Sequence, residues 1–198
     1  ERPEIVLSSP YVRARQTADR VLAALQAPAD AAPVADDDVP GVIARLHDER
    51  LREKEFGIVD RLTVHGIRAK YPELSAQRAH VGKFYFRPPG GESWCDVILR
   101  LRSLVEVLRR DHVGDRVLLV AHQVIVNCFR YLLECLDEAA ILAMDKAADV
   151  PNCGVTEYAL EGMGGDIRFR QQRVNFVLPL LEAGAPVTTA KDQPAGPK

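Results

Sequence analysis

Two short apolar runs in the chain are each followed by apolar residues at helical spacing. Residues 117–120, Val-Leu-Leu-Val, form one run, and such a run is typical of a strand buried on both faces of a parallel sheet. Apolar side chains then recur at helical spacing from Ile125 to Leu136. The other run covers residues 5–7 and precedes a helical pattern over residues 14–25. Two such strand–helix units predict an α/β fold with parallel strands joined by right-handed crossovers.

Further elements follow from turn signals and alternation. The segment PPGGES, residues 88–93, is a turn in which Ser93 can cap the helix that follows. Residues 155–160 and 167–176 predict two strands of a hairpin. Between residues 60 and 87 the pattern is mixed. We interpret that stretch as a surface excursion of the kind that often supplies substrate specificity.

The chain length fits one folded domain. The 198 residues are 47% hydrophobic, which is enough to build a single core, and we predict one domain over residues 1–183. Residues 184–198 consist mainly of Ala, Pro, Thr and Lys without periodicity. This composition predicts a disordered tail.

Charge and cysteine content exclude several classes of protein. The net charge of -2 gives no basis for extensive binding to nucleic acid or to an anionic membrane. The four cysteines form no CxxC pair and have no histidine at zinc-ligand spacing, so we predict reduced thiols and no metal site. No apolar run approaches the ~20 residues that span a bilayer. We therefore predict a cytoplasmic protein.

His122 lies where the predicted central strand passes into a helix. In open α/β sheets ligands bind at the carboxyl edge of the strands, and the free N–H groups of a helix start favour an anion there. The position therefore favours a ligand-binding histidine. The alternative is a buried histidine that only satisfies a hydrogen bond.

Arg13 lies near the start of the first predicted helix, after the sequence Ser-Ser-Pro at residues 8–10. Serine caps the free N–H groups of a helix and proline fits its first turn. A positive charge at this end opposes the helix dipole unless it meets an anion. Arg13 is therefore either a solvated side chain or a phosphate clamp that uses its planar fork of donors.

Residues 42–57 are rich in charged side chains and poor in apolar anchors. Glu49, Glu53 and Glu55 are candidates for acid chemistry in this stretch. Most glutamates in such a run face water, so the residues alone do not select one of them.

Four short segments together resemble one family. Residues 8–18, SSPYVRARQTA, resemble its "SSP..RA.QTA" segment, and residues 51–57, LREKEFG, resemble its "L.E..FG" segment. Residues 90–93, GGES, are similar to its "GGES" helix start. Residues 118–122, LLVAH, stand where the family has a hydrophobic strand ending in "SHG". On these motifs, which occur in the family's order, the chain is identified as a member of the histidine phosphatase superfamily, which includes the cofactor-dependent phosphoglycerate mutases.

The resemblance implies a fold and a set of site residues. The fold is a three-layer α/β sandwich around a mostly parallel sheet, as in phosphoglycerate mutase. Arg13 would bind the transferred phosphoryl group, and His122 would contact the same phosphate and steady its developing charge. Glu53 would donate a proton to the leaving oxygen and then activate water. Ser8 and Gln123 would contact the substrate, Gln123 through its backbone N–H.

The sequence departs from the family pattern at two places. The family's nucleophile is the histidine of an Arg-His-Gly segment on the first strand, which becomes phosphorylated. Arg-His-Gly occurs nowhere in this sequence. We therefore expect that the N-terminal strand with its nucleophile is missing here, so that this chain alone is inactive. Ala121 and Gln123 also replace the serine and glycine of "SHG".

Three functions remain open from the sequence. The leading hypothesis is a metal-independent phosphomonoesterase that acts through a phosphohistidine in the complete protein, without a cofactor. Its partner would be a phosphorylated small molecule, with no nucleic acid and no membrane, and a homo-oligomer is left open. The first alternative is a phosphoglycerate mutase-type phosphotransferase. The second is a non-catalytic remnant that binds phosphorylated ligands, which accounts directly for the missing nucleophile.

Overall fold

A computed structural model describes residues 2–26, 43–162 and 168–185. Its elements are β1 (Ile5–Ser8), α1 (Val12–Gln26), β2 (Ala44–His47), α2 (Val64–Lys70), α3 (Pro72–Val81), α4 (Trp94–Asp111), β3 (Val117–Val120), α5 (Gln123–Leu133), α6 (Glu138–Ala147), β4 (Val155–Glu161), β5 (Arg168–Phe176) and α7 (Leu178–Glu182). Two 3₁₀ turns cover Glu49–Leu51 and Gly57–Val59. Most of the predicted tail, residues 186–198, lies outside the described residues.

The elements group into two compact units along the chain. Residues 1–53 and 104–122 form the first unit, and residues 54–103 and 123–198 form the second. Each unit has its own sheet and its own hydrophobic cluster. The single domain over residues 1–183 stays a prediction.

A parallel three-stranded sheet with the strand order β2-β1-β3 organises the first unit. Ser8, the last residue of β1, lies opposite His47 of β2 and opposite Val120 of β3. All three strands therefore end at the same edge of the sheet. The predicted α/β class with parallel strands is confirmed.

Helix α1 packs on one face of this sheet. Its Ala18 and Leu22 are buried in a cluster with Val6 of β1 and Ile43, and Leu118 of β3 packs against the same cluster. The apolar spacing predicted over residues 14–25 is thus the side of α1 that faces the strands. Burial of this side fixes the start of α1 relative to the carboxyl edge of the sheet.

Strand β2 has no counterpart among the strands predicted from the sequence. All four of its side chains, Ala-Arg-Leu-His, are exposed, so burial imposes no apolar alternation on its sequence. Its backbone pairs with β1 along its whole length. After the strand, the N–H of Asp48 donates to the carbonyl oxygen of Ser8 at 3.0 Å. Pairing with β1, and not a side-chain pattern, defines this element.

The second unit contains the predicted hairpin and the predicted excursion. Strands β4 and β5 pair antiparallel, which confirms the hairpin, and the described part of β5 begins at Arg168. The excursion over residues 60–87 contains α2 and α3. Ile67 and Leu74 of these helices are buried in a small cluster with Val59 and Phe86.

Helix α5 ends before Leu136, to which the apolar spacing extends. Its last residue is Leu133, and Cys135 has a left-handed φ of 53°. The N–H of Leu136 donates to the carbonyl oxygen of Tyr131 at 3.1 Å. A left-handed residue with this backward hydrogen bond closes a helix in the manner of a Schellman motif. Leu136 therefore lies beyond the helix.

Candidate active site

At the carboxyl edge of the three-stranded sheet, the strands lead into the segments that contain the predicted catalytic residues of the first unit. The loop after β1 leads to Arg13, the loop after β2 leads to Glu53, and β3 leads to His122. Ligands of parallel sheets bind at this edge. Helix α1 also begins here, and its first turn contains no acidic residue. Because the N-terminus is the positive end of a helix dipole, this end of α1 is directed toward the same edge.

A direct hydrogen bond joins Arg13 and His122. The guanidinium Nε of Arg13 donates to Nδ1 of His122 at 3.2 Å. His122 is buried, with 8% of its surface exposed, whereas Arg13 is exposed. A fixed imidazole beside an accessible guanidinium suits the binding of a solvent-borne anion. The structure therefore brings together the two residues that the sequence predicts for phosphate binding.

Ser9 holds the other nitrogen of the same imidazole. Its Oγ lies 2.8 Å from Nε2 of His122, and Ser9 is fully buried. An arginine Nε–H can only donate, so Nδ1 of His122 accepts and Nε2 carries the proton that it donates to Ser9. The two hydrogen bonds fix both the tautomer and the plane of the ring. Sequence analysis treated the serine before Pro10 only as a helix cap, because the residues do not show which strand each serine hydroxyl faces.

Ser8, the serine predicted to contact the substrate, bonds to a different histidine. It is fully buried, and its Oγ lies 2.8 Å from Nδ1 of His47 at the end of β2. The two adjacent serines thus form hydrogen bonds with histidines on opposite sides of β1. A contact between Ser8 and the substrate stays a prediction.

Glu53 follows a tightly bonded turn in the loop after β2. Asp48 caps the turn Glu49–Leu51 by accepting from the N–H of Arg50 at 2.8 Å, and Nη2 of Arg50 donates to Oδ2 of Asp48 at 2.6 Å. Burial acts to raise the pKa of Asp48, but the hydrogen bonds and charge of Arg50 outweigh it and leave this pKa below its usual value. Glu53 itself is half-buried. Its role as proton donor stays a prediction.

Gln123 is the first residue of α5, in the second unit. Its side-chain Nε2 donates to Oδ1 of Asp149 at 2.9 Å. Asp149 therefore orients the side-chain carboxamide of Gln123, at the position where the family's SHG motif has a glycine. A contact of its backbone N–H with the substrate stays a prediction.

Two of the segments that carry the resemblance, FG and GGES, lie against each other in the second unit. Gly57 has a φ of 56°, and a Cβ there would lie 2.1 Å from the carbonyl oxygen of Pro89. Glu92 accepts from the N–H of Glu55 at 3.0 Å and pairs with Arg100 at 2.8 Å. Only glycine fits at position 57. The glutamate of GGES is a structural anchor for the preceding segment.

The described residues show no built metal site. Among them, no group of three or more His, Cys, Asp or Glu side chains could hold a metal ion. None of the four cysteines, all of which lie in the described ranges, forms a disulfide, and their reduced state stays a prediction. No helix in the described ranges is long and apolar enough to cross a membrane.

A sequence model of a known family matches most of the chain. The family is described as "Histidine phosphatase superfamily (branch 1)", and the match covers residues 1–172. All the motif segments quoted above lie within this range.

Two kinds of enzyme are among the curated relatives. The 6-phosphofructo-2-kinase/fructose-2,6-bisphosphatase 3 of Homo sapiens is 37% identical over 90 residues, which cover 46% of this chain and 16% of the relative. The 2,3-bisphosphoglycerate-dependent phosphoglycerate mutase of Rhizobium etli is 32% identical over 110 residues, which cover 54% of this chain and 51% of the mutase. The chain thus spans about half of the mutase and a much smaller part of the bisphosphatase.

Solved structures with the same fold cover more of the chain. A mycobacterial glucosyl-3-phosphoglycerate phosphatase in complex with inorganic phosphate has a TM-score of 0.66 at 27% identity, covering 88% of this chain and 78% of that chain. A structure named mycobacterial hydrolase 2 has a TM-score of 0.67 at 26% identity, covering 95% of this chain and 73% of that chain.

Proposed function

The chain belongs to the histidine phosphatase superfamily (branch 1), and we propose that it forms the phosphate-binding part of a metal-independent phosphomonoesterase that works through a phosphohistidine. The hydrogen bond between Arg13 and His122 at the carboxyl edge of the sheet carries this proposal. Phosphoryl transfer needs cationic donors around the charge that spreads over the transferred group. The relatives include a bisphosphatase and a mutase, and a structural neighbour is a phosphatase.

In this proposal Arg13 and His122 bind the phosphoryl group together. The exposed guanidinium of Arg13 donates to the phosphate oxygens with its planar fork. When Arg13 turns from Nδ1 of His122 toward the phosphate, this nitrogen can take up a proton and donate as well. Ser9 keeps the ring in place throughout through its bond to Nε2.

Glu53 is proposed as the proton donor to the leaving oxygen. The half-buried carboxyl lies in the loop that leaves the same sheet edge after β2. A carboxyl can act as an acid near neutral pH when burial or a neighbouring anion raises its pKa. After the leaving group departs, the same carboxylate would activate the water that hydrolyses the phosphohistidine.

We propose that the nucleophilic histidine lies in sequence beyond these 198 residues, on a strand that pairs with the outer edge of β3. Within the described residues β3 pairs with β1 alone, although its sequence, Val-Leu-Leu-Val, is apolar throughout. An apolar strand at a sheet edge is prone to pair with another strand. The absence of Arg-His-Gly from the chain supports the same proposal.

A binding protein without catalysis is the second candidate, and the missing nucleophile favours it. A mutase would use the same residues, and the relative from Rhizobium etli favours that variant of the proposal. Turnover separates these functions. The full-length natural protein is expected to hydrolyse an aryl phosphate in the presence of a metal chelator, whereas a binding protein would hold phosphate without turnover.

Binding of inorganic phosphate to the 198-residue chain tests the site itself. We expect Arg13→Ala to weaken this binding by about 10- to 100-fold, because charged hydrogen bonds contribute about 1.5–3 kcal/mol. Arg20→Ala, an exposed arginine farther along α1, is the matched control and should leave the affinity unchanged. Isothermal titration calorimetry gives both affinities. Equal affinities for the two variants would contradict the proposed site.

A further inference from the structure

The ring of Tyr11 contacts both residues of the phosphate-binding pair. The guanidinium carbon of Arg13 lies 5.2 Å from the centroid of this ring. The centroid of the His122 imidazole lies 5.3 Å from it, with an angle of 62° between the two planes. These are the distances of a cation–π contact and of an edge-to-face ring pair. One half-buried side chain thus connects an exposed arginine with a buried histidine.

The backbone of Tyr11 is fixed to the same site. Its N–H donates to Oγ of Ser9 at 3.3 Å, and that oxygen also bonds to Nε2 of His122. Its carbonyl oxygen accepts from the N–H groups of Ala14 and Arg15, each at 3.0 Å. The backbone of Tyr11 is therefore tied both to Ser9 and to the first turn of α1.

We propose that Tyr11 is a positioning residue for phosphate binding, which acts through Arg13 and His122 and needs no contact of its own with the substrate. This inference rests on the function proposed above. An exposed arginine loses rotamer freedom when it is ordered. The ring of Tyr11 holds the guanidinium over its face before a ligand arrives, so less of this entropy is lost on binding. Its contact with the imidazole keeps His122 in the orientation that Ser9 defines.

Removal of the ring tests the proposal with inorganic phosphate as the probe and the 198-residue chain as the protein. We expect Tyr11→Leu to weaken phosphate binding about two- to fivefold, as the loss of a cation–π contact at an exposed arginine predicts. Tyr11→Phe keeps the ring and should bind within about twofold of the parent chain. Loss of affinity in Tyr11→Phe to the level of Tyr11→Leu would overturn the role of the ring.

Tyr71 offers a matched control in the second unit. It is half-buried, and Nζ of Lys70 lies 5.3 Å from the centroid of its ring. Tyr71→Leu therefore removes a comparable cation–π contact and should leave phosphate binding unchanged. An equal loss in Tyr71→Leu would show that destabilisation, and not positioning, weakens binding.

A double-mutant cycle tests whether Tyr11 acts through Arg13. In the Arg13→Ala background, Tyr11→Leu should weaken phosphate binding by less than about half of its effect in the parent chain, since the shared contact is already lost. Fully additive losses would overturn the proposal. Tyr11→Met serves in the cycle if thermal unfolding shows that Tyr11→Leu does not fold.

Nitrogen NMR of the His122 ring keeps the two proposals distinguishable. The parent chain and Tyr11→Phe should show an imidazole protonated at Nε2, as the hydrogen bond that Nδ1 accepts from Arg13 requires. Tyr11→Leu should keep this tautomer, but its ring signals should shift and broaden because the imidazole loses the contact with the Tyr11 ring. An unchanged ring signature in Tyr11→Leu overturns the positioning role, whereas failure of the parent chain to bind phosphate contradicts the proposed function.

Discussion

The two sides of β1 carry the same chemical pair in different surroundings. On the β2 side, Ser8 bonds to the exposed His47. On the β3 side, Ser9 bonds to His122, which is buried and accepts a second hydrogen bond from Arg13. A serine–histidine pair therefore does not define a site by itself. Burial and a neighbouring cation give the imidazole on the β3 side a fixed orientation, and hydrogen bonds in such surroundings are stronger.

The strands on the two sides of β1 also differ in burial: β2 is exposed and β3 is half-buried. All side chains of β2 are exposed, and Arg45 pairs with Asp19 of α1. Charged side chains protect an edge strand from pairing with another chain. The four apolar residues of β3 are half-buried, and their composition is that of an interior strand. We therefore expect β2 to be a true edge of the sheet and β3 to be covered by a further strand in the working protein.

The largest expected difference between the two sides concerns catalysis. In the full-length protein we expect His122→Ala to lower kcat/KM for an aryl phosphate by about 100- to 1000-fold, the usual effect of losing a donor that stabilises transition-state charge. His47→Ala should stay within about twofold of the parent, because His47 lies outside the Arg13 contact. Steady-state kinetics gives both values. Equal losses would mean that both histidines belong to the site.

A smaller difference is expected in stability, and two leucines offer a matched test. Leu46 of β2 and Leu119 of β3 both lie opposite Leu7 of β1, but Leu46 is 54% exposed and Leu119 is half-buried. We expect Leu119→Ala to lower the free energy of unfolding by about 2 kcal/mol. Leu46→Ala should lower it by less than about 0.5 kcal/mol. Urea denaturation of the 198-residue chain measures both, and similar losses would remove the contrast between the strands.

The smallest expected effect depends on pH and concerns the loop after β2. The pKa of Asp48 is lowered in the folded chain because the hydrogen bonds of Arg50 outweigh the effect of burial. A carboxyl with a lowered folded pKa stabilises the fold above its unfolded pKa, near 3.9, and this stabilisation is lost as the pH falls through the folded value. Asp48→Asn should therefore lower the free energy of unfolding by about 1 kcal/mol at neutral pH.

Below about pH 3.9 the difference between Asp48→Asn and the parent chain should shrink progressively. Asparagine remains a good cap for the turn, so the substitution isolates the charge. Urea unfolding at several pH values measures the difference. A difference that does not change with pH would mean that the ion pair with Arg50 does not stabilise the loop.

The sequence was informative where burial controls the choice of residue. Strand β3 and the position of His122 could be predicted because an apolar run is typical of a buried strand and a helical pattern follows it directly. The predicted burial on both faces was too strong, since all four residues of β3 are half-buried. Strand β2 could not be predicted because its side chains face solvent and only its backbone is constrained. The end of α5 at Leu133 could not be predicted because the left-handed residue after the helix is a cysteine, Cys135, where a glycine would have indicated the end.

Within the site, the contacts between residues distant in sequence could not be predicted. The resemblance pointed to Arg13 and His122, and the structure places them in contact. The choice of Ser9 over Ser8 depends on which strand each hydroxyl faces, and a linear sequence does not contain that information. Tyr11 carried no signal of its own, because the contact of its ring with His122 forms only when β3 lies beside β1.

The close approach of Gly57 to Pro89 has a consequence for how the molecule can change over time. The N–H of Ile58 donates to the carbonyl oxygen of Pro89 at 3.0 Å, so the chain leaves and returns at nearly the same point. The cost of closing such a loop depends only weakly on its length. The two ends of the stretch from residue 58 to residue 88 are therefore held together by their backbones. We expect an insertion at an exposed position of this loop to leave that junction intact, because the added length costs little.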